Sequence, residues 1–273
     1  MKYLNLGCGS NFSTKEEWVN IDFIEKKPYV LGHNLLNGIP FKDNSFDFIY
    51  HSHVLEHFSK KDGEAFLKEC FRVLKPGGVL RIAIPDLEQI AKKYLYFLDE
   101  GLKKPKNKEI RLNYEWMKIE MYDQTVRNFA GGEMLNYLSQ KEMLNEEFIY
   151  ERIGDEGRKI REFLKSLNSN ESSERLFSLK QRVKSKIKKI LMKKLNIDED
   201  IYKIGQFRMG GEIHQWMYDR YSLSHLIEDL GGESIEVKSA FESSVDKWCE
   251  YGLDGKYPNI KKPDSIFIEC IKK

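Results

Sequence analysis

The feature that most constrains this 273-residue chain is a rhythm of short β-rich runs and turns over residues 2 to about 85. Residues 4–6 make a short apolar strand that runs straight into Gly7-Cys8-Gly9. Residues 18–22 read as a second strand, 29–31 as a third and 46–50 as a fourth, entered through the turn-forming Asp43-Asn44-Ser45. Residues 63–74 follow as an amphipathic helix, with Ala65, Phe66, Cys70, Val73 and Leu74 on one face. Lys75-Pro76-Gly77-Gly78 stops that helix, and residues 79–84 give a fifth strand cut off by Pro85. Strands separated by helices imply an α/β fold, a parallel sheet with helices on its faces.

The rhythm fails over residues 87–217, which are rich in Lys, Glu, Leu and Tyr, carry almost no β-branched runs and so read as helical. It then resumes. Residues 222–230 look like a helix capped by Gly231-Gly232, and residues 234–237 and 265–271 like strands. The simplest account is one α/β domain, residues 1–86 and 218–273, interrupted by a helical insertion and closed by a terminal strand pair. Hydrophobic residues at 41% suffice for a core. A net charge of +2 argues against nucleic acid or a strongly acidic partner. No apolar run approaches the ~18 residues of a membrane span, and the first residues lack the apolar stretch of a signal peptide. Cys8, Cys70, Cys249 and Cys270 are scattered without a CxxC pair, so they read as reduced thiols of a cytoplasmic protein.

The first chemical signal is the strand that ends in Gly7-Cys8-Gly9, because glycine lets backbone approach a ligand closely. A nicotinamide dinucleotide reading is disfavoured: it wants a third glycine where Phe12 stands, and an acid further along than Asp22. A carboxylate at Asp22 still suits a ribose diol, since it accepts from two hydroxyls at once. The remaining signals are residues 34–47, then His51-Ser52-His53-Val54-Leu55-Glu56-His57-Phe58, then residues 72–78.

In order, GCGS, VNID, PFKDNSFDFIYHSHVLEHF and RVLKPGGVLRIAIPD resemble the class I S-adenosylmethionine-dependent methyltransferases of the type 11 kind, closely over residues 2–86 and more loosely over 218–271. The resemblance implies an open, mostly parallel Rossmann-like methyltransferase sheet with an antiparallel terminal strand and a large helical insertion. Residues 1–86 and 218–273 would bind S-adenosylmethionine, and residues 87–217 would form a lid for the acceptor. By the same resemblance Gly7, Cys8 and Gly9 surround the methionine and ribose part of the cofactor, and Asp22 takes the ribose hydroxyls. Asn34 and Leu35 contact adenine, while His51 and Ser52 face the methionine part or the reacting centre. The chain departs from the family pattern at Asn5 and Asn34, where acids are common, and in the short segment between Gly9 and Asp22. Those departures keep open a catalytically degenerate cofactor-binding or regulatory module. Glu56 and His57 read as structural residues opening the next helix. No metal is expected at His51, His53 and His57, since no cysteine or acidic cluster supports one.

Residues 206–219 return the chain to the sheet and resemble a stretch in a bacterial methyltransferase subgroup that often accompanies cell-surface polysaccharide genes. His214 is the candidate general base there, with Arg208, Glu212 and Tyr218 as polar neighbours; the plainer alternative is an anchor for the lid. His51 and Tyr218 complete the set of catalytic candidates. Residues 180–195 carry eight basic residues and no acid, which suits an anionic membrane surface, a phosphate-bearing acceptor or a solvated face. The expected reaction is methyl transfer to oxygen or nitrogen of a small acceptor, with a sugar or other glycan precursor among the candidates. Acceptor identity and oligomeric state stay open.

Overall fold

The computed structural model describes residues 1–169 and 198–273; the basic stretch 180–195 lies outside them. The central sheet has seven strands: β1 (Tyr3–Leu6), β2 (Trp18–Asp22), β3 (Val30–Gly32), β4 (Phe46–Ser52), β5 (Leu74–Pro85), β6 (Gly232–Lys238) and β9 (Ser265–Lys272). Their order is β3-β2-β1-β4-β5-β9-β6, and only β9 runs antiparallel to its neighbours. The open, mostly parallel sheet with one antiparallel strand is therefore the arrangement expected. All of β1 is buried and β4 nearly so, as strands covered on both faces must be.

One face is covered by α1 (Lys60–Val73) and α7 (Arg220–Asp229), whose Phe66, Leu67, Cys70, Leu223 and Ile227 pack on Leu4, Leu6, Ile49 and Ile82. Helix α1 starts three residues before the expected Gly63, because Ser59 caps it by accepting from the Asp62 amide at 3.1 Å. The Lys-Pro-Gly-Gly stop belongs to the strand after all. It forms an irregularity in β5, with Gly77 at φ 74° and the register jumping between Phe46–Leu74 and Phe48–Val79.

The other face has no helix between β1 and β2, since the span from Gly7 to Glu17 is too short for a crossover helix. It is covered instead by residues 239–264, which hold α8 (Trp248–Tyr251) and a small hairpin of β7 (Gly255–Lys256) and β8 (Asn259–Ile260). Trp248 and Leu253 from this segment pack on Tyr3, Trp18, Phe48 and Tyr50.

Between β5 and α7 stand α2 (Leu87–Lys103), α3 (Lys108–Val126), α4 (Gly132–Leu138), α5 (Glu146–Ser169) and α6 (Glu199–Arg208). Helices α2 to α5 have a core of their own around Ile90, Trp116, Met117, Tyr137, Leu138 and Ile149. A buried ion pair of Arg152 with Glu120 ties α5 to α3, and Trp116 Nε1 donates to the same carboxylate at 3.0 Å. Asp86 and Tyr218 form a parallel bridge, so the chain leaves the sheet and returns to it at one place. No described helix is long and apolar enough to cross a membrane.

Candidate functional site

Strands β2 and β3 lie on one side of β1, and β4 and β5 on the other, so β1 and β4 end together where the strand order reverses. Open α/β sheets bind ligands outside the carboxyl ends of their strands at this point. Leu6 and His51 are register partners there, which brings the turn after β1 beside the loop after β4. Gly7 has φ 63°, and a Cβ on it would stand 2.4 Å from Val54 Cγ2, so glycine is required twice over. Gly9 has φ 54° with nothing within 4 Å of where its Cβ would stand; its backbone borders open space.

The acid at the end of β2 holds this turn. Asp22 Oδ2 accepts from Gly9 N–H at 2.7 Å and Oδ1 from Ile24 N–H at 3.2 Å, leaving lone pairs on both oxygens. Phe23 and Ile24 beside it are exposed apolar side chains. Asn5 is buried and structural here. Its Nδ2 donates to Asn11 O at 3.0 Å and to Asn20 Oδ1 at 3.2 Å, pinning the loop that replaces a first helix. Asn34 caps the short turn Leu35–Asn37 by accepting from Leu36 N–H at 3.0 Å, with Leu35 packed against the core. The Cys8 thiol is pushed up to about 12 by burial, then by the Asp22 charge, and is inert at neutral pH.

A cleft of about 670 Å³ opens past Cys8, Ser52 and His53 and is walled by Glu156 of α5 and by Lys262. A second cavity of about 230 Å³ lies between the sheet edge and the inserted helices, lined by Gln124, Arg127, Leu135 and Ile153 among others. His53, Glu156 and Lys262 line both, so His53 stands at their seam. Its backbone is left-handed, φ 54°, which is costly without glycine and is held by its N–H on Ala83 O at 2.9 Å. The ring lies with Nδ1 3.2 Å from Glu56 Oε1 and Nε2 2.7 Å from Ser265 Oγ.

Four of the six histidines gather on Glu56, which is 1% exposed. Burial alone would raise its carboxyl, but the His53 hydrogen bond and the His53, His214 and His57 rings hold it at about 2. His214 sits on the far side, its Nε2 4.0 Å from Glu56 Oε1 and 3.2 Å from the Gln124 amide, with its backbone N–H on Gln124 O at 2.9 Å. Burial lowers this ring to about 3. His57 meets His214 edge to face at 4.9 Å, and its Nδ1 is 3.2 Å from Ile213 O. The Glu56 carbonyl accepts from the Gln215 amide at 2.7 Å, clamping the returning chain onto the loop after β4.

The three residues picked separately as catalytic candidates thus all border one carboxylate, and each is nearly closed to solvent. His51 is fully buried on the α1 side against the Phe66 ring, and burial lowers it to about 4; the structure gives it no open face toward either cavity. Tyr218 is buried too, its hydroxyl pushed to about 12 by burial and then by Glu56. Arg208 and Glu212 serve the insertion rather than His214: Arg208 donates to the carbonyls of Val126 and Arg127, and Glu212 takes Arg127 and the Gly131 amide. His53, weighed in the sequence only as a metal ligand, and Gln124 both line the second cavity and were not among the catalytic candidates. The HxxE spacing of His53 and Glu56 was the available signal, but nothing in it marks one ring as facing a cavity.

Residues 4–82 match the family model described as a methyltransferase domain. A protein of Mycolicibacterium smegmatis named "Probable S-adenosylmethionine-dependent methyltransferase" is 41% identical over 98 residues, 30% of this chain and 37% of its own. The ubiquinone/menaquinone biosynthesis C-methyltransferase UbiE of Salmonella arizonae is 39% identical over 83 residues, 29% of this chain and 32% of its own. The chain therefore spans about a third of the length of these curated relatives. A SAM-dependent methyltransferase of Aquifex aeolicus, solved as a crystal structure, aligns at 26% identity with a TM-score of 0.27 over 32% of this chain and 57% of that one. Residues 4–82, which hold β1 to β4 and most of β5 with the loops between them, are thus the part of the chain that is similar to a methyltransferase domain.

Proposed function

We propose that this chain binds S-adenosylmethionine in the cleft at the end of β1 and β4 and transfers its methyl group to a small acceptor held under the inserted helices. The observation that carries the reading is His53, which borders both the cleft and the second cavity while a buried carboxylate fixes its ring. Of the cofactor candidates, Cys8 and Ser52 line this cleft. On the turn that carries Cys8, Gly9 leaves open space where a side chain would intrude and Asp22 keeps lone pairs for a diol, with Phe23 and Ile24 exposed beside it. The cleft's volume lies in the range of small-molecule sites.

Bound S-adenosylmethionine supplies an electrophilic methyl group on a sulfonium. The chain's own residues do the rest. Gly7, Cys8, Gly9, Asp22, Asn34, Leu35 and Ser52 hold the cofactor, and the walls shared by the two cavities set the reactants in near-attack geometry. Glu56 accepts from His53 Nδ1–H, which keeps the lone pair on Nε2, where the Ser265 hydroxyl now donates. Nε2 is thus the atom that can hold the proton an acceptor hydroxyl or amine gives up. His214 acts from behind, orienting Glu56 and Gln124, and Tyr218 and His51 complete the buried wall around that carboxylate. The inserted helices α2 to α6 serve as the acceptor lid. Apolar Leu135 and Ile153 and polar Gln124 and Arg127 in the second cavity suit an acceptor with both characters. A sugar or other glycan precursor fits that description and the resemblance of residues 206–219.

The test is titration with S-adenosylmethionine and S-adenosylhomocysteine, read by calorimetry and thermal unfolding. Both should bind one to one and, at 100 times the dissociation constant, stabilise the fold by about 2.7 kcal/mol. Asp22→Ala should weaken both by more than about tenfold, the loss of a charge-assisted contact to the diol. No stabilisation at millimolar ligand would overturn the reading in favour of a degenerate module.

A further inference from the structure

We propose that Glu56, His57 and His214 form a binding site for a divalent transition-metal ion, with Zn²⁺ and Co²⁺ as the best-suited members of that class. One ligand atom from each of the three residues can be chosen so that all lie within 4.8 Å of one another. That spread is wider than a bound ion needs, since Zn–N and Zn–O bonds run at about 2.0–2.2 Å. Binding therefore requires the side chains to rotate toward one another. Two imidazoles and a carboxylate make the donor set of zinc and related ions, harder than a thiolate site and softer than an all-oxygen one.

Three further observations point to a ligand here rather than to a packing accident. First, the polar atoms are buried and short of partners. Among the described residues, His214 Nδ1 has no hydrogen bond, and Glu56, despite its burial, takes no donor beyond the His53 ring on its carboxylate. Buried polar groups of this kind are rare in folded proteins, and each calls for an explanation. Second, the ligands are already oriented from outside. His57 Nδ1 donates to Ile213 O at 3.2 Å, which fixes the tautomer and leaves Nε2 with its lone pair free. Glu56 takes His53 on Oε1, and the His214 backbone N–H is held on Gln124 O at 2.9 Å. Metal-binding histidines and carboxylates typically carry such outer partners. Third, the backbone ties the ligands together: Glu56 and His57 are consecutive in the short turn Leu55–His57, closed by His57 N–H on Val54 O at 3.1 Å, and the Glu56 carbonyl takes the backbone of the segment that carries His214.

The ion would lie one side chain away from the acceptor cavity, since Gln124 touches His214 and lines that cavity. An ion there fixes Glu56, and through it the His53 ring, independently of any cofactor.

The experiment uses the full chain, stripped with a chelator and titrated with Co²⁺ and then Zn²⁺. Co²⁺ should bind one to one with visible ligand-field bands, and one equivalent of Zn²⁺ should displace it. His57→Asn, at a half-buried position, and His214→Asn should each weaken Co²⁺ by on the order of 100-fold, as loss of a ligand must at least match the loss of an outer partner. His225→Ala, at an exposed histidine remote from the site, should bind as the parent does and shows that surface imidazole is not responsible. Circular dichroism establishes that each variant is folded; if His214→Asn is not, His57→Asn alone decides. Absence of ligand-field bands at a tenfold excess of Co²⁺, or bands unchanged in folded His57→Asn, overturns the proposal.

Discussion

Two buried charged clusters lie on opposite faces of β4 and β5, and they are built on opposite plans. On one face Arg81 is completely buried, with Nε on Asp254 Oδ2 at 2.8 Å and Nη1 on Glu269 Oε1 at 2.8 Å. Its remaining bonds go to the carbonyls of Glu242 and Ser239, and its plane lies over Trp248 at 4.7 Å. The acids are satisfied in turn. Asp254 accepts from the Tyr50 hydroxyl, and Glu269 from the Ser243 hydroxyl and the Ser244 amide. On the other face Glu56, His51, His214 and Tyr218 are as deeply buried, yet His51 has neither ring nitrogen paired and the Tyr218 hydroxyl has no partner among the described residues. A fully paired network locks residues 239–264 onto the sheet and has nothing left to offer a ligand. The underpaired one is expensive to bury and stands next to the cleft, which is where folds tolerate such cost.

The sharpest way to break the contrast is at its paired pole. Arg81→Met leaves two buried acids without their cation and should destabilise the fold by about 3–5 kcal/mol in denaturant unfolding. A cost near zero would mean the network is not what fastens residues 239–264. At the other pole the effect should fall on chemistry instead. With an acceptor identified by screening labelled methyl transfer, His53→Asn should lower turnover by about 10²–10⁴-fold while unfolding stays close to the parent. Equal loss of stability and turnover would erase the distinction between the faces.

A smaller effect is expected from pH. Burial holds His51 and His214 at about 4 and 3, below the usual imidazole range. The unfolded chain takes up protons below about 6.5 that the folded chain refuses. The contribution is therefore complete above that pH and is lost as pH falls toward 4, by up to about 1.4 kcal/mol per unit for each ring. Denaturant melts at a series of pH values between 7 and 4.5 check the slope. Smallest of all should be His51→Leu, which removes the unpaired ring against Phe66; stability at pH 7 should stay within about 1 kcal/mol of the parent or rise, with a shallower acid slope. A large loss would show that the ring is held by a contact worth keeping.

How much of this was legible in the sequence follows the range of the forces involved. Strands β1 to β5, helix α1 and the helical character of residues 87–169 are local matters of side-chain period, caps and turns, and they stand close to where the residues place them. The Gly7-Cys8-Gly9 turn and Asp22 could be paired for the same reason, through a motif whose parts lie near one another along the chain. The errors at Gly63 and at Lys75-Pro76-Gly77-Gly78 came from local signals that neighbours overruled: a Ser59 cap lengthened the helix, and pairing with β4 drew the glycine turn into β5. Residues 239–264 carried no readable period, so the partners of Arg81 stayed hidden. Only the tertiary structure decided that His214 comes to Glu56, that His51 turns inward under α1, and that His53 alone among those rings faces both cavities. Burial and pairing belong to surfaces that meet across the fold, and no spacing along the chain encodes which of four histidines will be left facing open space.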